Sequence, residues 1–101
     1  MKKNLILLGM MAVGKTTLGK IVAKKQKLAF ADIDKLIEKK NLMKISEIFK
    51  KKGENFFRTQ EEKEVLKFSN KNNYVIALGG GAFMNKNIRN YVLKKCVSIW
   101  L

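Results

Sequence analysis

Short apolar runs recur along a chain otherwise rich in lysine, glutamate and asparagine, and their spacing sets the fold class. Asn4 to Leu8 carries Leu5, Ile6, Leu7 and Leu8 without a polar break. Such a run predicts a strand buried on both faces, as in a parallel sheet. Lys15 to Lys27 reads as a helix with Leu18, Ile21, Val22 and Lys25 on one stripe. Leu28 to Ile33 predicts a second strand that ends among Asp32 and Asp34, and helical character resumes from Asp34 to Lys40. Ser46 stands ahead of Ile48 and Phe49, with Ile45 in the place of a hydrophobic staple, and opens a short helix that Gly53 ends. A longer helical pattern from Glu54 to Ser69 closes in Asn70-Lys71-Asn72-Asn73, with Phe57 turned inward beside Val65 and Phe68 and Phe56 along a pocket wall. Tyr74 to Leu78 predicts a third buried strand, Asn87 to Lys95 a helix, and Cys96 to Leu101 a fourth strand. This alternation predicts an α/β fold with layers of helices on a parallel sheet.

Length and composition narrow the class. A chain of 101 residues holds one domain at most, and 47% hydrophobic residues supply a core. No apolar run nears the ~18 residues that a membrane span requires. The first apolar run is broken by Gly9 and leads into Gly14-Lys15 with no small-residue cleavage site, so neither a signal peptide nor a membrane partner is expected. The single Cys96 forms no intrachain disulfide, and the lack of histidine speaks against zinc. A reduced, soluble, cytoplasmic chain is expected, acting as a monomer.

The net charge of +14 points to anionic partners. Yet 20 of the 22 basic residues are lysines, and only Arg58 and Arg89 carry the planar fork that phosphate and base recognition favour. The lysines are spread through every segment, with clusters at Lys24-Lys25-Lys27, Lys50-Lys51-Lys52 and Lys94-Lys95. That distribution fits a solvated surface better than a dedicated patch, so no specific nucleic-acid partner is expected.

The strongest chemical signal is Gly9-Met10-Met11-Ala12-Val13-Gly14-Lys15-Thr16, which matches G-x-x-x-x-G-K-S/T between a buried strand and a helix. Gly9 and Gly14 let the loop curl so that backbone N–H groups point at a β-phosphate, and the helix start adds its positive dipole end. Lys15 neutralises the β/γ oxygens, and the Thr16 hydroxyl is a magnesium ligand. Met10 and Met11 read as loop packing rather than as a cofactor box. The motif indicates nucleoside-triphosphate binding and says little about the acceptor.

Asp32 and Asp34 follow the second strand two residues apart, which on an extended segment puts both carboxylates on one face. One is suited to support magnesium and the other to accept a hydrogen bond or a proton from a substrate hydroxyl. The alternative is plain capping, with Asp34 as N-cap for Leu36 onward. Arg58, kept in a lysine-rich chain, suggests a bidentate site for a carboxylate, oriented by Glu61 and Glu62; the alternative is a surface ion pair. Gly79-Gly80-Gly81 at a strand's end lets a ligand approach backbone N–H groups with no Cβ in the way.

In order and spacing these motifs resemble the shikimate kinases, a nucleoside-monophosphate-kinase-like branch of the P-loop proteins. The resemblance covers essentially the whole chain. It rests on Gly9-Met10-Met11-x-x-Gly14-Lys15-Thr16-Thr17, Asp32-x-Asp34, Ile48-Phe49-x-x-x-Gly53-Glu54-x-x-Phe57-Arg58-x-x-Glu61 and Ala77-Leu78-Gly79-Gly80-Gly81-Ala82. It implies a three-layer P-loop kinase fold with a parallel sheet in strand order 2-3-1-4-5. Residues 1–101 would form the N-terminal portion of a single kinase domain, truncated after the fourth strand, with the lid and adenine-binding part absent. It implies ATP-dependent phosphorylation of the shikimate 3-hydroxyl, a step of aromatic amino-acid biosynthesis. By match to the family motifs, Gly9, Met10, Met11, Ala12, Val13, Gly14, Lys15, Thr16 and Thr17 bind the ATP phosphates, and Thr16 with Asp32 manages Mg2+. Lys15 and Asp34 are catalytic; Asp34, Arg58, Gly79, Gly80 and Gly81 bind shikimate. Ala12 stands where many members have glycine. The competing reading is a basic nucleotide- or nucleic-acid-binding P-loop module without small-molecule kinase activity; bulk charge alone supports it, whereas the paired acids and Arg58 favour the kinase.

Overall fold

A computed structural model of the chain describes residues 3–8 and 12–100, with side chains described for these except at 12–15, 80, 99 and 100. Along the chain run β1 (Asn4–Leu8), α1 (Ala12–Gln26), β2 (Ala29–Asp32), α2 (Ile33–Asn41), α3 (Ile45–Lys52) and α4 (Glu54–Leu66). A 3-10 turn (Lys67–Asn70), β3 (Tyr74–Ala77), a second 3-10 turn (Gly80–Met84), α5 (Lys86–Lys95) and β4 (Cys96–Trp100) follow. The four strands are all parallel, in the order β2-β3-β1-β4. Leu5 stands opposite Val75 on one side and Val97 on the other, and Ala31 opposite Ile76. Among the described residues no helix is long and apolar enough to cross a membrane.

Alternate side chains of the central strands enter different cores, which is why their sequences read as unbroken apolar runs. Ile6, Leu8, Ile76 and Leu78 join the larger core, filled from α2 to α5 by Ile33, Ile37, Ile48, Phe57, Val65, Ile88 and Val92. Leu7 and Val75 face the other way, into a smaller core with Ala23 of α1. One feature of α1 corrects the expected stripe: Ile21 is 49% exposed and Lys25 is also exposed, while Gly19 and Ala23 are buried. The small residues let the helix lie close to the sheet, and a Cβ at Gly19 would overlap the Phe30 ring. Packing against an aromatic neighbour, rather than helical periodicity, chooses this face.

Helix ends show similar local logic. Ser46 is not the cap of α3; Lys44 occupies that position without a side-chain bond, and Glu38 Oε2 accepts from the Ile45 N–H at 2.8 Å instead. Gly53 does end α3, at φ 88°, a conformation that disfavours any residue with a Cβ. The Glu54 pattern leaves α-helical geometry after Leu66, and its tail is the 3-10 turn. Leu101, expected in the fourth strand, lies outside the described residues. Lysines occupy the last turns of all five helices, Lys24-Lys25, Lys39-Lys40, Lys50 to Lys52, Lys63 and Lys94-Lys95, where cations complement the helix dipole.

The connection after β1 leads to α1 on one face of the sheet, and that after β3 leads to α5 on the other. β1 and β3 are neighbours, so a crevice opens at their carboxyl ends, where open parallel sheets bind ligands.

Candidate active site

The phosphate-loop motif connects β1 to α1 in the sequence. Gly9, Met10 and Met11 lie outside the described residues, as do the side chains of Ala12, Val13 and Lys15. The backbone of Gly14 and Lys15 belongs to the first turns of α1. Next to them, Thr16 is half-buried and Thr17 exposed. Thr16 Oγ1 donates to Asp32 Oδ2 at 2.8 Å.

Asp32 and Asp34 do not share a face. Helix α2 begins at Ile33, so Asp32 is its N-cap, with Oδ1 accepting from the Lys35 N–H at 3.3 Å. Asp34 falls in the first helical turn rather than at the cap. Asp32 keeps extended backbone (φ −110°, ψ 111°) while Asp34 is helical, so the strand alternation that would align them breaks between the two. The carboxylates therefore part: Asp32 turns to Thr16, and Asp34 turns to the glycine segment, where a Cβ added at Gly79 would lie 3.8 Å from its Oδ2. Asp34 Oδ1 is fully buried.

Arg58 approaches the same segment from α4. Its Nη1 donates to Glu61 Oε1 at 2.9 Å, and Nη2 lies 3.6 Å from Glu54 Oε2. Glu61 is only 1% exposed, so this is no surface pair; a buried carboxylate holds the guanidinium from within while 35% of the arginine side chain stays open. A Cβ at Gly81 would come within 2.6 Å of Arg58 Nη2, so the glycine leaves the guanidinium its present place, and backbone φ does not call for it. Gly79 itself is extended (φ −67°, ψ 153°), and Gly80 and Gly81 open the 3-10 turn. The arrangement places an acidic group at Gly79 and a cationic fork at Gly81, just after β3, and the neighbouring β2 ends in the Asp32 that accepts from Thr16.

The sequence matches the shikimate kinase family over residues 11–101. The chain belongs to the shikimate kinase family. A shikimate kinase of Bacillus subtilis is 46% identical over 101 residues, which cover 99% of this chain and 54% of that protein. One from a Sulfurihydrogenibium species is 46% identical over 99 residues, 98% of this chain and 60% of its own. The solved shikimate kinase of Acinetobacter baumannii, in complex with shikimate, superposes with TM-score 0.91 at 34% identity, covering 99% of this chain and 56% of that one. The chain thus spans a little over half the length of the curated relatives it matches.

Within this shikimate kinase family member, three side chains depart from their expected or unnoticed roles. Glu62 does not orient Arg58; its Oε1 accepts from Asn85 Nδ2 at 2.7 Å and Asn87 Nδ2 at 3.2 Å. Glu54, named in the family motif without a role, supplies the second acid beside Arg58, and its i,i+4 spacing was the available signal. Phe56, expected along a pocket wall, packs half-buried against the larger core with the Lys52 ammonium 4.7 Å from its ring centre. Phe57 is buried as expected.

Proposed function

We propose that the full-length protein transfers the γ-phosphoryl group of ATP to the 3-hydroxyl of shikimate. The observation that carries this reading is Arg58, gripped by buried Glu61 and seated over Gly81 at the same glycine segment that Asp34 faces. A planar fork fixed from behind suits a carboxylate bidentately. A half-buried carboxylate nearby suits a hydroxyl, whose hydrogen bond or proton Asp34 would accept. Shikimate carries both groups, and the Acinetobacter baumannii relative is solved in complex with it. The phosphate-loop motif and Lys15 supply the donor side.

The residues also fit Mg2+. Thr16 and Asp32 offer a hydroxyl and a carboxylate oxygen 2.8 Å apart, hard donors of the kind this ion takes while keeping waters and phosphate oxygens as its other ligands. Bound there with ATP, Mg2+ would neutralise charge on the phosphate oxygens. The reading brings with it a place in aromatic amino-acid biosynthesis, a cytoplasmic setting and a monomeric enzyme, with ATP and shikimate as its partners and no need of nucleic acid or membrane.

Steady-state kinetics of Arg58→Lys in the full-length protein test it. Losing the fork while keeping the charge is expected to raise shikimate KM about tenfold and to leave ATP KM unchanged. An unchanged shikimate KM would return Arg58 to a purely structural partner of Glu61.

A further inference from the structure

Arg58 and Gly81 belong to different segments, and the Arg58–Glu61 bond lies within α4. A side-chain link between α4 and the end of the glycine turn lies four residues further on each side. Asn85 closes that turn, its N–H donating to Ala82 O at 3.1 Å. Its Oδ1 starts α5 by accepting from the Asn87 and Ile88 N–H groups at 2.9 and 3.0 Å. Its Nδ2 donates to Glu62 Oε1 at 2.7 Å, and Asn87 Nδ2 reaches the same oxygen at 3.2 Å.

We propose that Glu62 and Asn85 form a clasp that sets the gap between Arg58 and Gly81, making both positioning residues for the carboxylate end of the substrate site. The inference rests on the reading of Arg58 given above. Glu62 stands one helical turn, about 6 Å, beyond Arg58 on the same rigid helix. Asn85 stands at the far end of the turn that Gly81 opens. The approach is close, since a methyl group at Gly81 would push the guanidinium from its present place. Misplacement on the order of 1 Å is enough to spoil a bound geometry. Glu62 is half-buried, and its carboxylate is shared by two amide donors, a geometry more exacting than that of an exposed ion pair.

Asn85→Asp separates the clasp from the cap. The aspartate keeps the oxygen that starts α5, loses the Nδ2 donor, and sets a second carboxylate against Glu62. In the full-length protein shikimate KM is expected to rise about fivefold or more, with kcat and ATP KM within about twofold of the parent. The double variant Glu62→Gln with Asn85→Asp exchanges donor and acceptor and is expected to bring shikimate KM back. Thermal midpoints are measured alongside. Should Asn85→Asp fail to fold, Glu62→Ala removes the acceptor without a new charge pair and carries the same expectation for KM. An unchanged shikimate KM overturns the clasp, as does a double variant that regains stability but not KM, or a rise in ATP KM of equal size. If the parent phosphorylates shikimate and depends on Arg58, those results sink the clasp alone. A parent that phosphorylates no shikimate sinks the functional reading and the clasp together.

Discussion

Both ends of the parallel sheet bury polar groups, and they do so in opposite ways. At the amino ends of the strands Asn4, 3% exposed, shares its Nδ2 protons among Phe68 O, Lys71 O and Tyr91 Oη at 3.3, 3.0 and 3.0 Å. Its Oδ1 accepts from the Tyr74 N–H at 2.9 Å, and the Tyr91 hydroxyl donates to Phe68 O at 3.1 Å. Every member of this network is neutral and most partners are backbone groups. One amide thereby ties β1 to the turn after α4, to β3 and to α5. At the carboxyl ends the polar groups are ionisable side chains, Asp32, Asp34, Arg58 and Glu61, all but Glu61 with part of their surface left open. Desolvating charges costs several kcal/mol per ion unless geometry and further hydrogen bonds offset it. The neutral network is complete without a ligand and serves stability. On the function proposed above, the charged one is arranged for a partner, at some expense to stability.

The largest expected effect tests that division at the charged end. Asp34→Asn keeps the shape and removes the charge and the basicity. Loss of a general base or of a close hydrogen bond to the reacting hydroxyl is expected to lower kcat by about a hundredfold or more. Because Asp34 Oδ1 is fully buried, neutralising it is expected to leave the thermal midpoint unchanged or higher. A variant that loses stability but keeps kcat would place Asp34 with the structural network instead.

At the neutral end the expectation reverses. Asn4→Ala leaves Lys71 O and the Tyr74 N–H without the side-chain partner that now serves them in a buried setting. The cost is about 3 kcal/mol of unfolding free energy, read from denaturant midpoints. Shikimate and ATP KM should hardly move at temperatures where the variant stays folded. A kinetic change larger than the stability change would show that the two ends are coupled through β1.

The contrast also explains which parts were legible in the sequence. The strands could be read because burial on both faces leaves unbroken apolar runs, as in Leu5 to Leu8. The charged end could be read because its residues fall in short motifs whose types carry a chemistry: Gly14-Lys15-Thr16, Asp32 with Asp34, Arg58 with Glu61. The paired aspartates were misjudged in direction because α2 starts at Ile33, one residue after the strand ends. The neutral network left no local trace, since Asn4 meets partners 64 to 87 residues away. Asn4 looked like nothing more than the first residue of a strand. The Glu62–Asn85 contact joins residues 23 apart and was equally hidden, although Asn85 ahead of Ile88 is an ordinary N-cap signal.

The smallest effect comes from Tyr91, where the neutral network meets pH. Burial first, and then Cys96, push its phenol up from 10.0 to about 12. Tyr91→Phe removes one hydrogen bond to Asn4 and one to Phe68 O, but Asn4 retains Lys71 O, so the loss near neutral pH is about 1 kcal/mol. The sign of the pH dependence follows from the direction of the shift. The folded protein holds the Tyr91 proton more tightly than the unfolded chain does. That contribution is fully present below pH 10 and is lost as pH rises through about 12. The phenylalanine variant has no proton to lose there. The stability gap between parent and variant is therefore expected to be constant up to pH 10 and to narrow as pH approaches 12. Denaturant unfolding of the pair across that range checks it. A gap that stays constant over the whole range would mean that the Tyr91 phenol ionises alike in the folded and unfolded chains, and the closed character of the amino-end network would have to be given up.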